Sequence, residues 1–262
     1  MRGLGINVNA VPGMGAGDFA KTVKALGFTH AMSDTSTPTE MKEKAEAVLG
    51  AGLVFDQLHA PFNTINNMWL DIPEAEYTQR QLTDAIDCCV AFGAPIATVH
   101  LSSGPNPPTI TDLGRARYAA LVEYAAKKGV TIAFENQRFL YNIAWAFHDF
   151  RDAPNVGFCW DVGHQACATP HIEFMRLFGN KLVCTHLEDN NAVFGEDLHI
   201  LPFDGKADFD SASHLLKEYN YKGNLMLEVG KRPAFYESYT NEAFLQRAFE
   251  AVCRIRDIVD GE

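Results

Sequence analysis

The chain is short of the features that would place it in several common classes. It has no stretch of about 18 apolar residues, so no segment reads as a membrane span. Its first residues, Met1-Arg2-Gly3-Leu4-Gly5, are not followed by the apolar run of a secretory signal. Lys and Arg total 22 against 33 Asp and Glu, a formal charge of −11. A basic excess or stripe of the kind that meets a phosphate backbone is missing, which argues against nucleic acid as a partner. None of the six cysteines, Cys88, Cys89, Cys159, Cys167, Cys184 and Cys253, forms a C-x-x-C pair. Most sit among apolar residues and read as reduced core side chains of a cytoplasmic protein. Low-complexity segments and linkers are absent too, and apolar residues make up 47% of the 262, enough to bury a core without staples.

What is present is alternation. Short apolar runs occupy Leu4–Val8, Phe28–Met32, Leu53–Leu58, Ile96–Leu101, Val130–Phe134, Val156–Trp160, Leu182–Thr185 and Leu225–Leu227. Between and after them lie stretches with apolar residues at helical spacing: Asp18–Leu26, Pro38–Leu49, Pro73–Phe92, Asp112–Lys128, Ile143–Phe150, His171–Phe178, Phe209–Tyr219 and Glu242–Val259. Gly27, Gly50, Gly93 and Gly129 stand just past four of these helices, where a left-handed residue ends a helix. Buried strands alternating with helices imply a parallel sheet covered on both faces. Eight such units in 262 residues predict a single-domain α/β (β/α)8 TIM barrel spanning 1–262. The rival is a doubly wound open sheet. The Gly-rich turn Asn9–Gly17 lacks G-x-G-x-x-G and contains Pro12, which weighs against a dinucleotide loop.

The residue closing each apolar run is polar: Asn9, Asp34, His59, His100, Glu135, Asp161, His186 and Glu228. In a barrel the C-terminal strand ends converge on one bowl, so these residues meet although they are far apart in sequence. Three carboxylates buried together are costly unless a cation offsets them. Glu135, Asp161, His186 and Glu228 fall on four successive strands. Their oxygen donors and one imidazole suit a divalent metal ion, Mn2+ or Mg2+ first, with Co2+, Fe2+ or Zn2+ also fitting.

Other residues are candidates for the same site. His164 follows Asp161 by three positions and reads as a substrate-hydroxyl partner, a second metal ligand or a helix cap. Asp197 and His199, in the loop after the seventh run, read as a lid or ligand element, and Asp208 as the cap of the next helix. Phe62 and Trp69, in the loop Ala60–Ile72, are lid candidates. Trp160 is expected between barrel and helices, and Phe203 near the bowl.

These pieces carry a resemblance. Leu58-His59-Ala60-Pro61-Phe62, Val99-His100-Leu101, Phe134-Glu135-Asn136, Trp160-Asp161-Val162-Gly163-His164, Thr185-His186-Leu187-Glu188-Asp189-Asn190, Asp197-x-His199 and Leu227-Glu228-Val229 appear in the order seen in the xylose-isomerase-like TIM-barrel superfamily. The chain resembles its sugar phosphate isomerase/epimerase members and, more distantly, endonuclease IV-type enzymes. The resemblance to ketose epimerases implies one Mn2+-like ion on Glu135, Asp161, His186 and Glu228. It also implies acid/base roles for the two glutamates and a substrate oxygen on His164. The arginine that such epimerases carry after the strand-seven histidine is missing from Leu187-Glu188-Asp189-Asn190-Asn191. The endonuclease IV resemblance implies three zinc ions on His59, His100, Glu135, Asp161, His164, His186, Asp197, His199 and Glu228.

The resulting expectation is a metal-dependent isomerase or epimerase of a small sugar, polyol-derived ketose or hydroxy-keto acid, working by proton transfer through an enediolate. Glu135 and Glu228 are its catalytic pair, and His164, His59, His100 and His199 bind substrate, with Asp197, Phe62 and Trp69 in support. No phosphate cradle is evident. The alternatives are a metal-dependent dehydratase of a polyol-like substrate, an endonuclease IV-type trinuclear zinc phosphodiesterase, and a non-enzymatic sugar-binding barrel. A homo-oligomer is left open.

Overall fold

A computed structural model describes residues 2–35 and 37–261. Eight strands, β1 (Leu4–Asn7), β2 (His30–Asp34), β3 (Val54–His59), β4 (Ile96–Val99), β5 (Thr131–Glu135), β6 (Val156–Asp161), β7 (Leu182–His186) and β8 (Leu225–Leu227), form one sheet. Its order is β7-β6-β5-β4-β3-β2-β1-β8, and every pairing between these strands is parallel. The two ends of that order meet through a parallel bridge between Leu187 and Leu227 and a 2.9 Å bond from the Leu187 N–H to the Met226 carbonyl. The sheet is therefore a nearly closed (β/α)8 barrel, as the alternation predicts.

Helices α1 (Ala16–Leu26), α2 (Pro38–Gly50), α3 (Glu74–Phe92), α4 (Asp112–Lys128), α5 (Leu140–Asp149), α6 (Val162–Ala168), α7 (Phe174–Phe178), α8 (Phe209–Glu218), α9 (Pro233–Tyr236) and α10 (Asn241–Asp260) surround it. Their ends obey local chemistry. Thr37, Thr111, Asp161, Asp208 and Thr240 each accept an N–H of the first helical turn. Gly27 ends α1 at φ 113°, a conformation a side chain would strain. Asp208 is thus a cap, as expected. All six residues of β6 are buried, the signature of a strand covered on both faces. The six cysteines are free, five of them buried. No helix among the described residues is long and apolar enough to cross a membrane.

Three departures from the sequence reading have local causes. The helix expected over His171–Phe178 shrinks to α7, because the chain turns over 169–172, with the Ile172 N–H on the Thr169 carbonyl at 3.0 Å, and enters the helix only after Glu173. A helix instead starts directly at Asp161, whose carboxylate accepts the His164 N–H at 2.6 Å. The loop Ala60–Ile72 is ordered by a 3-10 helix, Ile65–Trp69.

Candidate active site

The strand ends converge because neighbouring strands are in register at their last residues. Asp34 pairs with His59 and Asp161 with His186, while Glu135 lies opposite Cys159. Glu228 follows β8 and its N–H reaches the Leu187 carbonyl at 3.3 Å, which brings it beside His186.

Glu135 is the hub. Its Oε1 lies 2.9 Å from His186 Nδ1 and 3.3 Å from His164 Nδ1. Its Oε2 lies 2.7 Å from His100 Nε2 and 3.3 Å from His59 Nε2. His186 Nδ1 also sits 2.9 Å from Glu228 Oε2 and 3.9 Å from Asp161 Oδ2. Donor atoms of Glu135, Asp161, His186 and Glu228 all fall within 4.8 Å of one another. Asp161 Oδ2 is buried with no hydrogen-bond partner, an arrangement that costs on the order of 1–3 kcal/mol if left unmet. An acceptor orphaned in a ring of two more carboxylates and an imidazole fits a divalent cation.

A second group lies beside it. His164 Nε2 is 3.1 Å from Asp197 Oδ2, and His199 Nε2 is 3.4 Å from Asp197 Oδ1. Donor atoms of these three residues also gather within 4.8 Å. The loop after β7 builds this group. Asp189 accepts the N–H groups of Asn190, Gly205 and Ala207, and its backbone pairs in both directions with Ile200. His199 takes a left-handed φ of 49°, with its N–H on Glu188 Oε2. His199 Nδ1 is 2.9 Å from the Glu228 carbonyl and His59 Nδ1 is 2.8 Å from the Ala60 carbonyl. Each therefore donates from Nδ1 to a backbone carbonyl and turns Nε2 to the carboxylates, the orientation a metal-ligating imidazole takes.

The acids and imidazoles shift one another. Burial pushes the Glu135 carboxyl up, but His186 and His100 outweigh it and hold it well below the usual range. Burial raises Asp161 to about 7. Burial would lower His186 and His164, but Glu228 and Glu135 hold the first, and Asp161 and Asp197 the second, well above an ordinary imidazole. Burial drives His100 down to about 4. His199, despite its burial, is lifted to about 10 by Asp197 and Glu228. Titrating groups driven apart in one cleft are a mark of a functional site.

A cavity of about 270 Å³ opens over this floor, lined by His59, His100, His164, Asp197, His199 and Glu228, with Phe62 on its wall. A second, of about 280 Å³, shares Phe62, His199 and Glu228 with it and reaches Asn9 and Asp34, which are joined by a 3.3 Å bond. Phe62 stacks on His100 with 4.4 Å between ring centres, as a wall residue would. Trp69 does not join it. It is 1% exposed, packs on Tyr118 and Trp145, and donates its indole N–H to the Leu101 carbonyl at 2.7 Å. The 3-10 turn swings it inward, so the lid role expected for Trp69 is corrected to core packing. Phe203 also lies away from the bowl, under the Arg254 guanidinium, and Trp160 is buried with its indole on Gln165.

Sequence reading missed four contributors. The Asn136 side chain is paired twice with the Asp161 backbone, at 2.8 Å each way. Gln137 Nε2 bridges His100 and His164, at 3.1 and 3.2 Å. Arg138 lines the cavity. Glu188 is buried with an unpartnered Oε1, and a Cβ at Gly163 would overlap its carboxyl. The signal for the first three was adjacency to Glu135. Glu188 gave none, since a charged residue inside a long loop ordinarily reads as solvated.

The sequence profile of the family described as xylose isomerase-like TIM barrel matches residues 20–251. The uncharacterized protein y4fM of Sinorhizobium fredii is 26% identical over 278 aligned residues, covering 90% of this chain and 87% of that one. Among solved structures, D-psicose 3-epimerase from Clostridium cellulolyticum H10 superposes with a TM-score of 0.73 at 17% identity, covering 99% of both chains. An L-ribulose 3-epimerase gives 0.75 at 17%, covering 100% of this chain and 95% of that one. The 3-keto-D-glucoside 4-epimerase of E. coli gives 0.73 at 16%, covering 98% and 99%.

Proposed function

The chain belongs to the xylose isomerase-like TIM barrel family, and from that premise we propose that it is a divalent-metal-dependent isomerase or epimerase of a small sugar, polyol-derived ketose or hydroxy-keto acid. The observation that carries this reading is the ring of Glu135, Asp161, His186 and Glu228 with the unpartnered Asp161 oxygen, set at the floor of the cavity of about 270 Å³. The names of the three structural neighbours described above, each a sugar epimerase, support it.

Glu135, Asp161, His186 and Glu228 would hold the ion. When bound, a divalent ion polarises a carbonyl and so acidifies the C–H beside it. The chain's own residues do the rest. Glu228 faces the cavity and is ionised, held at about 2 against burial by His186, and it is the carboxylate placed to accept the substrate proton. Glu135, wholly buried beneath His59 and His100, has imidazoles on both oxygens to supply or store the proton that must return. Return to the opposite face of the same carbon epimerises, and return to the neighbouring carbon isomerises. His164 and His199 lie on the cavity wall within reach of substrate hydroxyls.

The test is incubation of the Mn2+-supplied protein with a panel of ketoses and hydroxy-keto acids in D2O. Deuterium appearing at the carbon next to the carbonyl supports the reading, and no exchange with any member overturns it.

The His164, Asp197 and His199 group favours a second reading, a multinuclear metal phosphodiesterase of the endonuclease IV type. It would bring His59 and His100, 3.1 Å apart through their Nε2 atoms, into a third metal position with Glu135. Three bound zinc ions and cleavage of a phosphodiester would decide for it.

A further inference from the structure

Arg138 is the one side chain on the main cavity whose charge the isomerase reading does not use. It follows Glu135 by three residues in the loop between β5 and α5 and is half-buried. It lines the cavity together with Gln137, Ser103 and Gly104. Among the described residues it has no ion pair and no hydrogen bond. Other arginines of this chain are matched: Arg2 meets Asp260, Arg115 meets Asp149, Arg247 meets Asp204 and Arg254 meets Asp210, while Arg232, on the adjoining cavity, shares the unpaired state of Arg138 among the described residues. In a chain with 33 acidic and 22 basic side chains, a cation without a counter-charge at the mouth of a site stands out.

The surroundings of Arg138 are fixed. Asn66 clamps the Ser103 backbone from both sides, its Oδ1 accepting the N–H at 2.9 Å and its Nδ2 donating to the carbonyl at 2.8 Å. Gly104 follows at φ 74°, with open space where a Cβ would stand. Pro105, Pro107 and Pro108 stiffen what comes next. On the Arg138 side, the bridge from Gln137 to His100 and His164 ties the start of its loop to the imidazoles.

A guanidinium half out of water is matched best by a planar or tetrahedral oxyanion, which it receives through two parallel N–H groups. A neutral polyol leaves the charge unmet. Glu135, Asp161 and Glu228 together carry more negative charge than one divalent ion offsets, so within this cavity the charged end of an anionic substrate is favoured at Arg138, with its uncharged oxygens below.

We propose that the substrate ends in an oxyanion, a carboxylate or a phosphate, and that Arg138 receives it. The proposal rests on the isomerase reading and narrows its substrate class, which spans neutral sugars and hydroxy-keto acids, to acidic or phosphorylated compounds.

The experiment separates binding from turnover. The Mn2+-supplied protein is titrated by calorimetry with D-glucitol, D-gluconate and D-glucitol 6-phosphate, three six-carbon polyols that carry no ketone or aldehyde to react. The expected result is that one of the two anions binds at least about tenfold more tightly than D-glucitol. Arg138→Gln loses that preference, Arg138→Lys keeps part of it, and Arg151→Gln, at an exposed arginine on the Asp152 turn, keeps all of it. Tighter gluconate assigns a carboxylate and tighter glucitol 6-phosphate a phosphate. The proposal is overturned if neither anion is preferred by the wild type, or if the preference survives in Arg138→Gln. A failure of this kind beside deuterium exchange into a neutral ketose removes the oxyanion alone. Absence of exchange with every substrate removes the isomerase reading, whatever the anions do.

Discussion

Glu135 and His186 stand 51 residues apart in the chain and 2.9 Å apart in space, Oε1 to Nδ1, across the end of the intervening strand β6. The other oxygen of the same carboxylate faces His59 and His100. One carboxylate thus joins two groups of candidate ligands, and perturbing it reaches the whole floor of the site.

Replacing Glu135 or Glu228 by Gln keeps shape and hydrogen-bonding capacity while removing the proton acceptor. Each change is expected to slow substrate deuterium exchange by about 10²- to 10⁴-fold, the usual worth of a positioned acid or base. Circular dichroism should show the fold retained. Full exchange activity in either variant removes that residue from the acid/base pair.

Metal content separates the two functional readings. One ion per chain by elemental analysis, with activity lost to a chelator and restored by Mn2+, is expected for the isomerase. Since Glu228 and Glu135 hold His186 well above an ordinary imidazole, an ion on that ring must displace a proton from it. Calorimetry in buffers of different ionisation heat should record proton release on Mn2+ uptake, and affinity should rise with pH. Uptake with no proton release would contradict the arrangement of this imidazole.

Asp161 predicts a stability effect of definite sign. Its folded carboxyl titrates at about 7, above the ordinary 3.8, because of burial. The ionised form is therefore disfavoured by the fold, and the cost grows as pH rises from about 4 and is complete above about 7. In chelator-treated protein Asp161→Asn, which keeps an oxygen to cap α6, should raise the melting temperature at pH 8 and have little effect at pH 4. Mn2+ should stabilise the wild type and reverse the order at pH 8. An equal effect at both pH values would refute the burial argument.

Phe62 and Trp69 share a loop and should behave oppositely. Trp69→Ala is expected to cost about 3–5 kcal/mol in denaturant unfolding, because it empties a packed site against Tyr118 and Trp145. Phe62, 37% exposed over His100, should cost about 1 kcal/mol or less as Ala but raise KM. A raised KM in a mild Trp69→Phe variant of unchanged stability would return Trp69 to the bowl.

The period of the apolar runs and the polar residue ending each was sufficient to read the barrel and most of its floor. Parallel strands buried on both faces need continuous apolar runs, and closure brings every run's end to one rim. Glu135, Asp161, His186 and Glu228 were therefore legible without coordinates, as was the Asp208 cap, whose signal is local. Trp69 and Glu188 were not, because nothing local distinguishes a loop aromatic that turns inward from one that covers a cavity, or a solvated acid from a buried one. The sequence by itself determined which residues reach the floor, through strand periodicity. Only the tertiary structure decided how they share atoms: that Glu135 serves both groups, that His199 reaches Asp197 through a left-handed turn, and that Arg138 stands beside them without a counter-charge. Those outcomes depend on distances across the barrel, which are set by closure and by the packing of loops from different units, and no local pattern along the chain encodes them.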